Sequence, residues 1–379
     1  MKKILFLQLK SDSFGGMWFV NKTLGEKFIE LGYDVKLIGI RRNHPYFDIG
    51  ETNIKIDTVN KNDEWEITHR RDVINSVLKF KFFRTLIKYI KDDIKLRKDY
   101  KKLKKKIKEY NPNYIIASHY ALLNGIPKDY LKRTVHVQHS SFKLAKSDKK
   151  NIKTLKKYNN KIFKMTWLSK GIYDEAIKIG ITNSTYITNP VKFETDLIAD
   201  VTKIKKIVII TRISKEKRIY EMIKLVDEVL KDNKDWVFEI YGPEELDDKS
   251  KKLLNKNIRY MGETKDAKEV LLNSSLSLNT SKFEGLSLSI IEGFTCGIPI
   301  ISFNNSESID EVINNNKNGY LIEQDNFNEM KDKLKYIIEN QDILIEKSKN
   351  AKEFSKKFNV KIVIKKWIEI FKEMDEIWK

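Results

Sequence analysis

Two carboxylates separated by seven residues, Glu284 and Glu292, bracket a glycine turn in the stretch Phe283-Glu284-Gly285-Leu-Ser-Leu-Ser-Ile-Ile-Glu292-Gly293-Phe-Thr-Cys-Gly297-Ile-Pro299. Gly285 permits a tight turn into a helix, whose exposed backbone N–H groups at Leu286, Ser287 and Leu288 would bind an anion such as a diphosphate, helped by the helix dipole. Glu284 lies just before that helix and Glu292 about two turns into it, and each carboxylate can accept hydrogen bonds from sugar or ribose hydroxyls. A second cluster, Thr211-Arg-Ile-Ser-Lys-Glu-Lys217-Arg218, directly follows an apolar run. Strand ends in open α/β sheets point into the ligand crevice, so Arg212 and Lys217 are placed to hold a phosphate group by charge-assisted hydrogen bonds. Any one of these residues alone fits an ordinary solvated surface; the combination describes a site for a diphosphate-bearing ligand. The stretch Asn304-Asn-Ser-Glu307-Ser-Ile-Asp310-Glu311, followed by Asn318-Gly319, reads only as a turn.

The elements that must position these residues follow from hydrophobic patterning. Short β-branched runs alternate with longer amphipathic stretches, the pattern of parallel strands joined by helices. The first unit runs from strand Ile4–Leu9 through the loop Lys10–Met17, with Gly15-Gly16, into a helix ending near Gly32 and on to strand Val35–Ile40. Further strands are predicted at Tyr114–Ser118, Thr134–Gln138, Met165–Leu168 and Tyr186–Thr188. After Asn189-Pro190 the pattern restarts, with strands at Ile207–Thr211, Trp236–Tyr241, Ile258–Met261, Leu276–Asn279 and Ile298–Phe303 and a helix near Tyr220–Lys231. Three segments result: 1–190, 191–359, and a final amphipathic helix within 360–379 that carries Trp367 and Trp378.

The chain has 379 residues, 41% hydrophobic and 11% aromatic, enough for more than one core. One cysteine, Cys296, cannot close an intramolecular disulfide, which excludes a disulfide scaffold and points to the reducing cytoplasm. The N-terminus begins with two lysines, but its apolar run stops at Lys10 without a small-residue cleavage site, and it reads as a buried strand rather than a signal peptide. No stretch has the roughly 20 apolar residues of a membrane span. Lys+Arg number 73 and Asp+Glu 53, a net charge of +20. Residues 1–190 carry 40 cations and 19 anions, or +21, and residues 191–379 carry 33 and 34, or −1. Such a first half attracts polyanions: nucleic acid, an anionic membrane, or a phosphate-rich substrate. Its excess concentrates in a helical segment at about 79–110, where Lys79–Lys108 holds fourteen Lys or Arg against three Asp, and in Lys143–Lys164, with nine Lys against one Asp. Basic helical segments of this kind also suit an anionic membrane surface.

The motifs resemble the retaining glycosyltransferases of family 4, in the group 1 glycosyl transferases. The resemblance is carried by Arg212-x4-Lys217, Glu284-x7-Glu292, Gly297-x-Pro299, Asn318-Gly319 and the N-terminal glycine loop Gly15-Gly16. Two positions depart from the family pattern: Ser287 stands where Pro is common and Gly293 where Ala is common. The resemblance implies an α/β GT-B fold, two Rossmann-like domains facing a cleft, with a C-terminal helix returning to the N-terminal domain. It implies that Arg212 and Lys217 bind the donor diphosphate, that Glu292 holds the ribose, and that Glu284 contacts the donor sugar with Gly285, Leu286, Ser287 and Leu288. Gly15 and Gly16 would let the N-terminal loop approach the diphosphate. His139 would reach the donor sugar, with His136 and His119 as competing histidines.

A nucleoside diphosphate leaves readily when positioned cations and helix N–H groups neutralise it. With no Asp-x-Asp at a strand end and no His/Cys cluster of metal spacing, the expectation is metal-independent chemistry without a cofactor. The expected activity is transfer from a nucleotide-sugar, UDP-linked by resemblance, to an anionic or lipid-linked cell-surface acceptor, in the cytoplasm or at the inner face of the membrane. Two other readings are a GT-B-fold UDP-sugar epimerase and a basic nucleic-acid-binding protein. Zinc-finger, RNA-recognition and glycine-loop signatures of the latter are missing from the sequence.

Overall fold

The computed structural model describes residues 1–11, 16–41, 51–60 and 82–377. Gly15, residues 79–81 and Trp378 therefore lie outside the described residues. In the first half, strands β1 (Lys3–Lys10), β2 (Asp34–Arg41), β3 (Lys55–Asn60), β4 (Tyr114–Ala117), β5 (Thr134–Gln138), β6 (Lys164–Trp167) and β7 (Ser184–Tyr186) form one sheet in the order β3-β2-β1-β4-β5-β6-β7. In the second, β8 (Lys206–Ile210), β9 (Val237–Tyr241), β10 (Ile258–Gly262), β11 (Leu276–Asn279), β12 (Ile300–Phe303) and β13 (Gly319–Ile322) are ordered β10-β9-β8-β11-β12-β13. The named strands pair in parallel throughout, with Phe6 of β1 opposite Leu37 on one side and Ile116 on the other. Parallel strands buried on both faces read as continuous apolar runs, which is why the central strands are legible in the sequence.

The two strands that patterning does not show lie at sheet edges. Strand β3 interleaves Lys55, Asp57 and Asn60 with its apolar residues. The Asn318-Gly319 stretch, read as a turn, instead opens the edge strand β13. There a Cβ on Gly319 would lie 2.6 Å from the Ile300 carbonyl oxygen, so the backbone can pair with β12 only because no side chain intervenes. Asn318 does organise the preceding turn: it accepts from Asn314 N (2.9 Å) and donates to the Val312 carbonyl (3.1 Å).

The helices that bear on the site are α1 (Gly16–Glu30), α2 (Phe82–Tyr110), α3 (Phe142–Ser147), α4 (Lys149–Tyr158), α5 (Lys170–Lys178), α6 (Ile219–Leu230), α7 (Leu288–Thr295) and α8 (Val360–Ile377). Helix α2 buries Leu103 and Ile107 as its spacing predicts, while Ile94 of the same stripe is exposed. Among the described residues no helix is long and apolar enough to cross a membrane. The chain passes between the halves twice, and the two crossings are tied where Val191 N donates to the Phe358 carbonyl (2.9 Å).

Helix α8 returns to the first sheet, as expected. Its Phe371 ring stacks on Tyr114 at 4.0 Å, and Asp375 accepts from the Tyr114 hydroxyl and pairs with Lys2. Trp367, Ile370, Phe371 and Met374 are buried there, each side chain of that size stabilising the contact by about 1.5–3 kcal/mol. The apolar core of the first half also takes in Leu286, Ile290, Ile291 and Phe294 from around α7, so the segment holding both candidate carboxylates is packed against the opposite domain.

Candidate active site

The basic loop after β8 is held by its own backbone. Thr211 N donates to the Tyr241 carbonyl (2.9 Å), Lys217 N donates to the Ser214 carbonyl (3.0 Å), and the Thr280 hydroxyl donates to the Lys217 carbonyl (2.8 Å). Lys282 N donates to the Glu216 carbonyl (2.9 Å), which stitches the loop to the segment leading into Glu284. Lys217 Nζ and Glu284 then form an ion pair, with side chains only 17% and 13% exposed. Arg212 stands exposed at the edge beside Thr211. Arg218, next to Lys217 in the chain, is committed elsewhere: it caps α6 in the left-handed conformation, pairs with Asp325 and lies over the Phe303 and Phe327 rings.

Helix α7 begins at Leu288, three residues after the glycine turn, so Glu292 sits about one turn into it rather than two. Ser287 occupies the capping position, but its hydroxyl engages Ser289 Oγ (3.1 Å) instead of a first-turn N–H. Those first-turn donors face the end of the helix dipole that favours anions. Glu292 is buried, and loss of solvent pushes its carboxyl up to about 7, opposed by the positive charge of Lys192. A narrow cleft gathers Thr211, Lys217, Asn279, Glu284, Ser289 and Glu292 along its walls.

The first half meets this cleft through backbone. A Cβ on Gly16 would lie 3.0 Å from Leu288 Cδ1, and one on Gly285 would lie 2.2 Å from the His139 carbonyl oxygen. Two second-half carboxylates complete the contact. Glu307 accepts from Phe142 N (3.3 Å) and Lys143 N (3.1 Å) at the start of α3, and Glu311 accepts from Lys170 N (3.0 Å) and Gly171 N at the start of α5.

Of the residues singled out from sequence, the structure brings together Lys217, Glu284 and Glu292, with Gly16, Gly285, Leu286, Ser287 and Leu288 at the domain contact and Arg212 at the edge. It places the His139 imidazole differently from the expectation. That ring lines a small interior cavity with Asn21, Thr188, Asn189 and Trp367, and its Nε2 is sealed from solvent without a hydrogen-bond partner. Burial, reinforced by His136 and His119, holds its pKa well below the ordinary value. The physical reason is that β5 ends just before it and the chain turns there against Gly285, so its carbonyl rather than its ring meets the second half. His136 has both ring nitrogens engaged, by the Ala117 carbonyl (2.8 Å) and Gln138 (3.3 Å), and His119 caps the turn at Ala121.

Sequence reading missed three residues. Lys192, just past Asn189-Pro190, lies over the Phe19 ring at 4.0 Å and acts electrostatically on Glu292. Its only signal is its place at the domain boundary. Glu307 and Glu311 lie in the stretch read as a turn; their spacing of one helical turn is visible, but what they cap is not.

Two parallel α/β sheets with a cation–carboxylate cleft at their junction and a returning C-terminal helix define a GT-B fold. Residues 198–358 match the family model of the glycosyl transferases group 1, and the chain carries a glycosyltransferase domain of that group. Over its whole length it is 26% identical to an uncharacterized glycosyltransferase of Haemophilus influenzae, the alignment covering 97% of this chain and 99% of the relative. A poly(ribitol-phosphate) alpha-N-acetylglucosaminyltransferase of Staphylococcus aureus is 32% identical over 168 residues, 43% of this chain and 34% of the relative. Among solved structures, a variant of S. aureus TarM in complex with fondaparinux, alpha-GlcNAc-glycerol and UDP superposes with a TM-score of 0.76 over 98% of this chain and 100% of that chain, at 18% identity. That likeness establishes the shared fold.

Proposed function

We propose that the protein transfers a sugar from a UDP-linked donor, with retention of configuration and without a metal or other cofactor, to an anionic polyol-phosphate or lipid-linked glycan of the cell surface. The observation that carries this reading is the partly buried Lys217–Glu284 pair sharing one cleft with Glu292 at the start of α7. Lys217, with Arg212 at the edge, would neutralise the departing diphosphate, and the first-turn N–H groups of α7 would share that charge. Glu292 would accept from the ribose hydroxyls, and Glu284, oriented by Lys217, from the donor sugar. No protein nucleophile is assigned. The acceptor class is supported by the +21 charge of residues 1–190 and by the poly(ribitol-phosphate) specificity in the name of the staphylococcal relative. The protein would work on the cytoplasmic side, where nucleotide-sugars are made, and the lysines of α2 would bring it to an anionic membrane surface.

The test is nucleotide release from a panel of UDP-, GDP- and ADP-sugars by the wild type and by Glu292→Ala, with chelator present. Release from a UDP-sugar that is lost in the variant supports the reading. A strict requirement for Mn or Mg contradicts the metal-free part, and formation of an epimeric UDP-sugar with no acceptor reverses the assignment to transfer. For the membrane, charge reversal of Lys101, Lys102, Lys104, Lys105 and Lys106 should release the protein from phosphatidylglycerol vesicles; undiminished binding removes that part.

A further inference from the structure

The lysines of the first half are not equivalent. On α2, Lys105 pairs with Glu109, Lys106 pairs with Asp57, and Lys102 donates to Asn60, while Lys101, Lys104 and Lys108 are exposed without an ion pair among the described residues. On α3 and α4, Lys146, Lys149, Lys150, Lys153 and Lys156 are exposed, and none forms an ion pair among the described residues. The single carboxylate of that segment, Asp148, is already engaged by the Tyr120 hydroxyl (2.7 Å) and by Lys150 N (3.0 Å). Along α4, Lys149, Lys153 and Lys156 recur once per turn, about 5.4 Å apart along the axis. This row of uncompensated cations begins at the active-site cleft. Lys143, at the start of α3, lies over the ring of Phe283 at 5.5 Å, and Phe283 immediately precedes Glu284.

We propose that α3 and α4 form the track that holds a phosphodiester polymer acceptor, with its reacting unit entering the cleft past Lys143 and Phe283. This rests on the glycosyltransferase reading above and specifies where its acceptor lies. A regularly charged chain gains a little from each ammonium and displaces counterions along the row, so affinity comes from the number of contacts and falls with salt. An anionic bilayer fits the same charges less well. A membrane-seated helix turns an apolar face to the lipid, whereas the other face of α4, with Leu155 and Tyr158, is buried in the fold. Leu144, 47% exposed, is the one large apolar side chain left among these lysines.

The experiment measures transfer to poly(ribitol phosphate) and poly(glycerol phosphate), and to the corresponding single-unit acceptors, over a salt series. The proteins are the wild type, the variant Lys149→Glu/Lys150→Glu/Lys153→Glu/Lys156→Glu, and a control with Lys101→Glu/Lys104→Glu/Lys108→Glu on α2. The α4 variant should raise KM for polymer at least about tenfold and lower the dependence of log KM on log salt by up to about 0.7 per lysine removed. The single-unit acceptor should respond far less, and the α2 control should keep the wild-type KM for polymer. Gln in place of Glu should give an intermediate shift, which separates charge from misfolding. A polymer KM unchanged in the α4 variant overturns the proposal, and so does loss of binding to phosphatidylglycerol vesicles with polymer KM intact, which would assign the row to a membrane. Wild-type protein that turns over a nucleotide-sugar but ignores both polymers would instead remove the acceptor reading on which the proposal stands.

Discussion

The two sides of the cleft are built from different materials. The second domain presents ionisable side chains, Lys217, Glu284 and Glu292, held by backbone hydrogen bonds and by packing of α7. The first domain presents backbone: Gly16 beside Leu288, the His139 carbonyl on Gly285, and the N-termini of α3 and α5, which bind Glu307 and Glu311. On the proposed reading, neutralising a leaving diphosphate would fall to the charged side, and the backbone side would supply shape and closure. Damage to the two sides should have different signatures.

The largest effect is expected from Lys217→Ala. It removes the cation aimed at the leaving group and leaves Glu284 unpaired, so nucleotide release should fall by about 10²–10³; a fall of less than about fivefold would break the assignment of chemistry to this side. Next is Glu292→Ala. Loss of hydrogen bonds to a charged acceptor, about 1.5–3 kcal/mol, should weaken UDP binding by roughly 10–100-fold as read by titration calorimetry. On the backbone side, Gly285→Ala would put a methyl 2.2 Å from the His139 carbonyl. It should prise the halves apart, visible as an increased radius of gyration in solution scattering, and slow transfer by about tenfold while UDP affinity changes little. Equal losses in affinity and turnover would show that the two sides are not separable in this way.

The smallest effect is also the sharpest. Because burial raises Glu292 to about 7 from 4.5, the empty protein holds its protonated form below about pH 7, and the stability tied to that form is lost progressively as pH rises from about 4.5 to about 7. Donor hydroxyls favour the carboxylate, so UDP binding should release a proton and tighten between about pH 6 and about pH 8. Lys192→Met removes the cation that opposes the upward shift and should move this transition to higher pH. Glu292→Gln should abolish it, and a pH-independent UDP affinity in the wild type would exclude an ionised Glu292 from the binding step.

The sequence by itself determined the central strands, the final amphipathic helix and the placement of Lys217, Glu284 and Glu292 beside strand and helix ends. Each of these is encoded locally, by apolar runs that must be buried on both faces, by an amphipathic period, or by motifs that place residues at strand and helix ends. Only the tertiary structure decided what depends on contacts between distant segments. It turned the His139 ring into an interior cavity while its carbonyl met Gly285. It set Lys192 near Glu292, used Glu307 and Glu311 to cap helices of the other domain, and made an edge strand of Gly319–Ile322. It also decided which lysines are neutralised by carboxylates and which are left free. Ion pairing and helix capping across a domain boundary have no sequence period, since partners more than 100 residues apart meet only when two separately folded sheets pack face to face.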